Sequence, residues 1–242
     1  MKKLLLAGIA AAAFCGAPAL AADMPVKAPA YRAAAPYDPW TGCYIGANAG
    51  GGWAHEDGTF LSSGNKFLDS KPNGFVGGGQ LGCDYQSGSW VGGVRGLFDW
   101  SDMKDTSPNV FNSTFSDHTR ISYFGTATAR LGYLVQPNTL LYVNGGFAWA
   151  RNKHFETDAA GVVIFTSGNS PVGGTVGAGL EWILAPSWSL FVEYDYLNFG
   201  TKHVDGSALL TDFSLKQNVN AVLVGLNYRF GSFGKAPVSA KY

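Results

Sequence analysis

Charge, sulfur and imidazole are all thin in this chain of 242 residues, and each scarcity closes off a class of function. Lys and Arg together number 17, as do Asp and Glu, so that only 14% of residues are charged and the net charge is zero. A weakly and evenly charged chain has no basic surface for nucleic acid, and none is expected as a partner. With three cysteines and four histidines, no segment holds a Cys or His pair at metal-ligand spacing. There is no G-x-S-x-G elbow, P-loop or H-E-x-x-H, and the G-x-G-x-x-G-like stretches fall in predicted strands rather than before helices. The expectation is therefore that the protein is not an enzyme. Beyond the N-terminal segment no run approaches ~18 apolar residues, which excludes a helical membrane span.

Glycine and aromatics are abundant by contrast, with 33 Gly, 16 Phe, 11 Tyr and 7 Trp. The N-terminus has the three parts of an export signal: Lys2 and Lys3, an apolar stretch from Leu4 to Phe14, and Ala19-Leu20-Ala21 as the cleavage pattern. Residues 1–21 are read as a signal peptide. Phe14 is too bulky to precede a lipidated Cys15. Residues 22–39 are rich in Ala and Pro, lack periodicity and read as a flexible periplasmic leader. Residues 40–230 form one domain, and residues 231–242 are a C-terminal tail.

Within 40–230 eight stretches alternate with period two, near 41–54, 73–86, 89–101, 120–135, 139–152, 171–184, 188–200 and 217–230. Short turns at "QSGS", "QPN" and "APS" alternate with long polar connections at about 55–72, 102–119, 153–170 and 201–216. An exported chain without apolar helices crosses a membrane only as a closed barrel. An even strand number with alternating short and long connections is the pattern of such barrels. The predicted fold class is all-β: an eight-stranded antiparallel up-and-down transmembrane β-barrel, following a cleaved signal peptide.

The two faces of each strand can be assigned. Val222, Val224, Leu226, Tyr228 and Phe230 face outward, opposite Asn227 and Arg229; Trp90, Val94, Phe98 and Trp100 oppose Arg95 and Asp99. In the fourth strand Ile121, Tyr123, Ala127, Ala129, Leu131 and Tyr133 are placed outward. A soluble sandwich also alternates, but its exposed face carries many charges. Here the polar face is mostly Gly, Ser, Thr and Asn, which suits the crowded lumen of a narrow barrel. Aromatics near strand ends (Tyr44, Trp53, Tyr85, Trp90, Trp100, Tyr133, Trp149, Trp182, Trp188 and Tyr196) are assigned to interfacial girdles.

Three residue sets are candidates for chemistry. Asp84, Arg95, Asp99, Arg130, Glu181, Glu193, Asp195 and Arg229 face the lumen. Buried charges must be paired, so they are expected to form a structural network or to line a narrow gate. Pairing Trp53 with Asn73 sets Cys43 opposite Cys83 on the outward face. In an oxidising compartment these are either a disulfide or two free, lipid-facing thiols. His55, His118, His154 and His203 fall one to each long connection, near a strand end. They are either solvated loop residues or a ligand set for haem or a divalent metal.

The stretches "WTGCYIGANAGGGW", "GFVGGGQLGCDYQ", "WVGGVRGLFDW" and "VGLNYRF" resemble the small porin-family barrels of alphaproteobacterial outer membranes. That group includes surface immunogens and haemin-binding members and is related in architecture to the outer-membrane protein A barrel. The resemblance implies residence in the outer-membrane bilayer, insertion by the barrel-assembly machinery, and a structural or surface role. A narrow small-solute pore and a haem- or metal-binding surface receptor are the alternatives. Such barrels often end on the aromatic of the last strand, whereas here "GSFGKAPVSAKY" follows Phe230.

Overall fold

The computed structural model describes residues 38–60, 64, 66–108, 116–158, 160–204 and 213–230. The expected signal peptide, most of the leader and the tail lie outside the described residues. Ten strands occur among the described residues: β1 (Gly42–Phe60), β2 (Lys66–Ser70), β3 (Asn73–Ser87), β4 (Trp90–Pro108), β5 (Ser116–Gln136), β6 (Thr139–Thr157), β7 (Val163–Asn169), β8 (Val172–Ala185), β9 (Trp188–Val204) and β10 (Phe213–Phe230). Each pairs antiparallel with its neighbour, and β10 returns to β1 along its whole length, from Phe213 opposite Phe60 to Phe230 opposite Cys43. The sheet closes on itself and has no membrane-exposed edge.

Ten strands make eight staves. β2 continues β3 and β7 continues β8, each pair lining one partner, β1 or β6. The breaks fall at Pro72 and Pro171, which have no N–H to give the ladder. Their carbonyls still accept from Ala54 at 2.8 Å and Ala150 at 3.0 Å, so the partner strands run through uninterrupted.

The outward face is apolar and open: Phe147 is 73% exposed and Tyr85 69%, with Leu81, Trp100, Val94 and Leu131 also exposed. An apolar surface of this extent encircling a protein needs a hydrocarbon solvent. Its height agrees. From Trp90 to Trp100, Tyr133 to Tyr123, Leu141 to Trp149, Trp188 to Tyr196 and Phe230 to Val222, each stave counts nine to eleven residues. That is the ~9–11 residues a tilted strand needs to cross a bilayer.

The staves do not stop there. β5 has 21 residues and β1, β4 and β6 have 19 each, so all four extend well beyond the apolar band. The described residues of the long connections expected at 55–72, 102–119, 153–170 and 201–216 are thus largely strand. Alternation of apolar and polar residues marks where lipid ends. Backbone hydrogen bonding continues past that level, with polar residues on both faces.

Two outward assignments are corrected. Ile121 is fully buried inside the barrel, because β5 carries an extra residue between Ile121 and Tyr123 relative to β6. A bulge reverses the parity of everything beyond it. Tyr44 is not a girdle residue either, since it points into the lumen and is 2% exposed.

Candidate functional site

The lumen is filled in layers, beginning at the short-turn end. Trp40 is fully buried there and its indole N–H donates to the Pro137 carbonyl at 3.1 Å. Val91, Leu140 and Tyr142 pack around it. The Arg229 guanidinium lies over its ring at 4.8 Å and donates to its carbonyl at 3.3 Å.

Directly above is a closed ring of four charges. Arg130 donates to Glu181 at 2.9 Å and to Asp84 through Nε at 2.8 Å and through Nη2. Arg229 donates to the same two acids, to Glu181 at 2.7 Å and Asp84 at 2.9 Å. Each cation therefore touches both anions and each anion both cations. All four side chains are no more than 2% exposed. Ser189 and Asn227 donate to the remaining acceptor sites of Glu181 at 2.5 and 2.9 Å. Tyr44 lies against both guanidiniums at 5.0 Å, and Tyr142 against Arg130 at 5.1 Å. Cation–π contacts of this kind gain from desolvation.

The tyrosines need room that only glycine leaves. Tyr44 lies over its cross-strand partner Gly82, and Tyr142 over Gly179. A Cβ at Gly82 would sit 2.5 Å from the Tyr44 oxygen, and one at Gly179 2.6 Å from that of Tyr142. The first stave of each half of the barrel thus lays a tyrosine across a glycine of the second.

Arg95 forms a bidentate pair with Glu193 at 2.7 and 2.5 Å, and the Tyr142 hydroxyl donates to Glu193 at 2.6 Å. Bidentate geometry makes such a pair strong. Asp195 accepts from Asn144 at 3.2 Å, and Asp99 is fully buried. The structure thus gathers all eight lumen charges into the barrel interior. Six belong to two guanidinium clusters, one around Arg95 and one around Arg130 with Arg229; together these take in Asp84, Glu181 and Glu193, leaving Asp99 and Asp195 outside the guanidinium pairings.

Above these charges lies an apolar layer that alternation alone did not reveal. Met103, Ile121, Phe124, Leu197, Phe199 and Ala221 are all buried inside the barrel. The lumen is accordingly less polar than the small-residue face suggested. A polar cap follows, where Asn152 donates to Gln217 at 2.7 Å and Glu56 lies 3.8 Å from His154.

Cys43 and Cys83 are directly paired on β1 and β3, face outward and are joined as a disulfide. The histidines lie on strand extensions, not loops, and the three described side chains do not converge. His154 faces inward beside Thr119 at 3.3 Å and Glu56. Its cross-strand neighbour His118 is on the outer face, stacked on Phe155, with its ring nitrogens at 3.0 Å from the hydroxyls of Thr106 and Thr157. His55, on β1, contacts Asp57 at 3.0 Å. The His203 side chain lies outside the described residues, and no metal-holding cluster of three or more His, Cys, Asp or Glu occurs among the described residues.

A closed barrel with a lipid-height apolar belt and a filled lumen defines an integral membrane β-barrel. The family model for the outer membrane protein beta-barrel domain matches residues 7–230, and the chain belongs to that family. It is 35% identical over 246 aligned positions to the 31 kDa outer-membrane immunogenic protein of Brucella melitensis, covering 95% of this chain and all of that one. It is 28% identical to the 25 kDa outer-membrane immunogenic protein of Brucella abortus, covering 95% and 99% respectively. Among solved structures it is similar to the outer membrane protein OprG of Pseudomonas aeruginosa, with a TM-score of 0.47, 12% identity and coverage of 78% and 96%. This is an integral protein of the bacterial outer membrane; in such barrels the short turns are periplasmic and the longer connections external.

Proposed function

We propose that the barrel is a sealed, non-enzymatic structural protein of the envelope that presents its external strand extensions and loops at the cell surface. The observation that carries this reading is the filled lumen: Trp40, the ring of Asp84, Arg130, Glu181 and Arg229, and the apolar layer of Phe124, Leu197 and Phe199 follow one another along the axis. Ions would have to cross both a tightly paired charge cluster and a dry apolar layer, which opposes the narrow-pore alternative. The haem alternative is opposed by His118 and His154 facing opposite sides of the sheet, with ring nitrogens already bonded to threonines. Surface display is supported by the names of the relatives, which are called immunogenic outer-membrane proteins.

The same reading takes residues 1–21 as a signal peptide removed on export, 22–39 as a periplasmic leader, 40–230 as the barrel inserted by the barrel-assembly machinery, and 231–242 as a tail. The eight lumen charges serve as an internal scaffold rather than a conduction path. Single-channel recording of the refolded protein in planar bilayers is the test. The expected trace has no discrete conductance steps at neutral pH; regular steps that vanish on denaturation would overturn the sealed-barrel reading.

A further inference from the structure

Among the described residues, every Lys and Arg outside the lumen clusters lies at the external end of the barrel, and none faces outward at the periplasmic rim. The external cations are not scattered. Lys104 on β4 is the direct cross-strand partner of Arg120 on β5, and Arg120 is the partner of Lys153 on β6. Arg151, two residues below Lys153, pairs with Tyr123. Three like charges in register across three strands repel one another and destabilise the sheet unless an anion meets them.

The bulge in β5 creates this row. Without the extra residue between Ile121 and Tyr123, Arg120 would point into the lumen and Ile121 outward. Bulges that re-aim a side chain are features of function as much as of shape. The protein supplies one shared acid: Asp102 lies 2.7 Å from Lys104 and 3.2 Å from Arg120. Arg151 donates to the Ser170 hydroxyl, which carries no charge. Lys104 and Arg120 are 54% and 46% exposed. Among the described residues, four cations thus face one carboxylate.

Immediately below, at the lipid boundary, is an aromatic shelf. Phe98 packs against Trp100 and Tyr123 at 5.1 and 5.3 Å, and Trp149 lies over Gly125, where a Cβ would be 2.4 Å from its ring. Cations above aromatics at a membrane surface match an anionic headgroup above acyl chains.

We infer that Lys104, Arg120, Arg151 and Lys153 form a binding strip for a phosphate-bearing lipid of the external leaflet, seated with its acyl chains on Trp100, Tyr123 and Trp149. Arginine's planar donors suit phosphate oxygens, and the two lysines add point charges on either side.

The test uses the full mature chain, refolded in zwitterionic detergent and checked by heat-modifiable gel mobility. Lipid A, a glycolipid with phosphate monoesters, is titrated and retained lipid is counted by native mass spectrometry. Saturable binding is expected. It should weaken roughly a hundredfold in a K104A/R120A/K153A variant, at the usual contribution of a basic residue near an anionic surface. A K66A/K216A variant, which removes external cations on the β1, β2 and β10 side of the rim, should bind as wild type does. Equal binding by wild type and the triple variant, equal loss in both variants, or undiminished binding of dephosphorylated lipid A would each overturn the assignment. Displacement of lipid A by millimolar inorganic phosphate would also overturn it, in favour of a site for free anions.

Discussion

The protein keeps charges in two places, and their surroundings differ in nearly every respect. In the periplasmic half, Asp84, Arg130, Glu181 and Arg229 are sealed from water, each held by two opposite charges and backed by tyrosine rings. On the external extensions, Lys104 and Arg120 are about half exposed and share the single, equally exposed carboxylate of Asp102. In the lumen the cost of removing charge from water has been met once, at folding, and any broken contact exposes that cost again. On the extensions water and salt screen each contact, so individual pairs contribute little to stability and the side chains remain available to a ligand. The same residue types therefore act as scaffold in one place and as recognition surface in the other.

The sharpest way to break this comparison is to remove a member of the ring. Arg130→Ala leaves Asp84 and Glu181 short of a partner, and urea unfolding in lipid should show a loss of about 3–5 kcal/mol. A loss as small as that of an exposed pair would mean that water reaches the ring and would dissolve the distinction. A charge placed on the lipid face within the apolar belt comes next: Val224→Arg should cost roughly 2–4 kcal/mol and lower the folded yield in vesicles. Wild-type yield for that variant would refute the assignment of Val224 to lipid.

The covalent link sharpens the comparison from another side. Cys43 and Cys83 are 40 residues apart in sequence and tie two adjacent staves near the periplasmic rim. Reduction, or Cys43→Ser with Cys83→Ser, should lower stability by about 2–4 kcal/mol through the freer unfolded chain, without altering lipid A binding on the opposite rim. Coupled loss of both would show that the two ends are not independent. A weaker effect is expected at the exposed pair: Asp102→Ala should leave unfolding unchanged and raise affinity for anionic lipid, because it removes the acid that Lys104 and Arg120 share.

The smallest effect is a pH response. The Lys66 ammonium, 2.7 Å from Asp57, holds that carboxyl below its ordinary range, with His55 assisting. A depressed carboxylate stabilises the fold at pH above its unfolded-state value, and that contribution disappears as pH falls through the folded-state value. Measured against the intrinsic rate, which itself falls in acid, amide exchange across residues 66–70 should therefore lose protection as pH drops while the lumen-backed strands keep theirs. Uniform loss of protection along the barrel would place the acid-labile contact elsewhere.

The sequence by itself determined the class of architecture, the membrane-crossing register and the inward direction of all eight lumen charges. In a single-layer barrel every residue faces either lipid or lumen, and an apolar belt of nine to eleven residues repeats on each stave, so alternation is read without knowing the fold. It could not locate the end of the strands, because alternation stops at the edge of the lipid while hydrogen bonding runs on to Phe60, Pro108 and Thr157. It misplaced Ile121 because one extra residue in β5 reverses parity without leaving a mark in composition. Which charge meets which was decided only by closure. Arg229 and Asp84 are 145 residues apart and meet because β10 returns to β1. The same closure brings Glu181 between both arginines, since a lumen eight staves wide is narrow enough for side chains from opposite walls to touch.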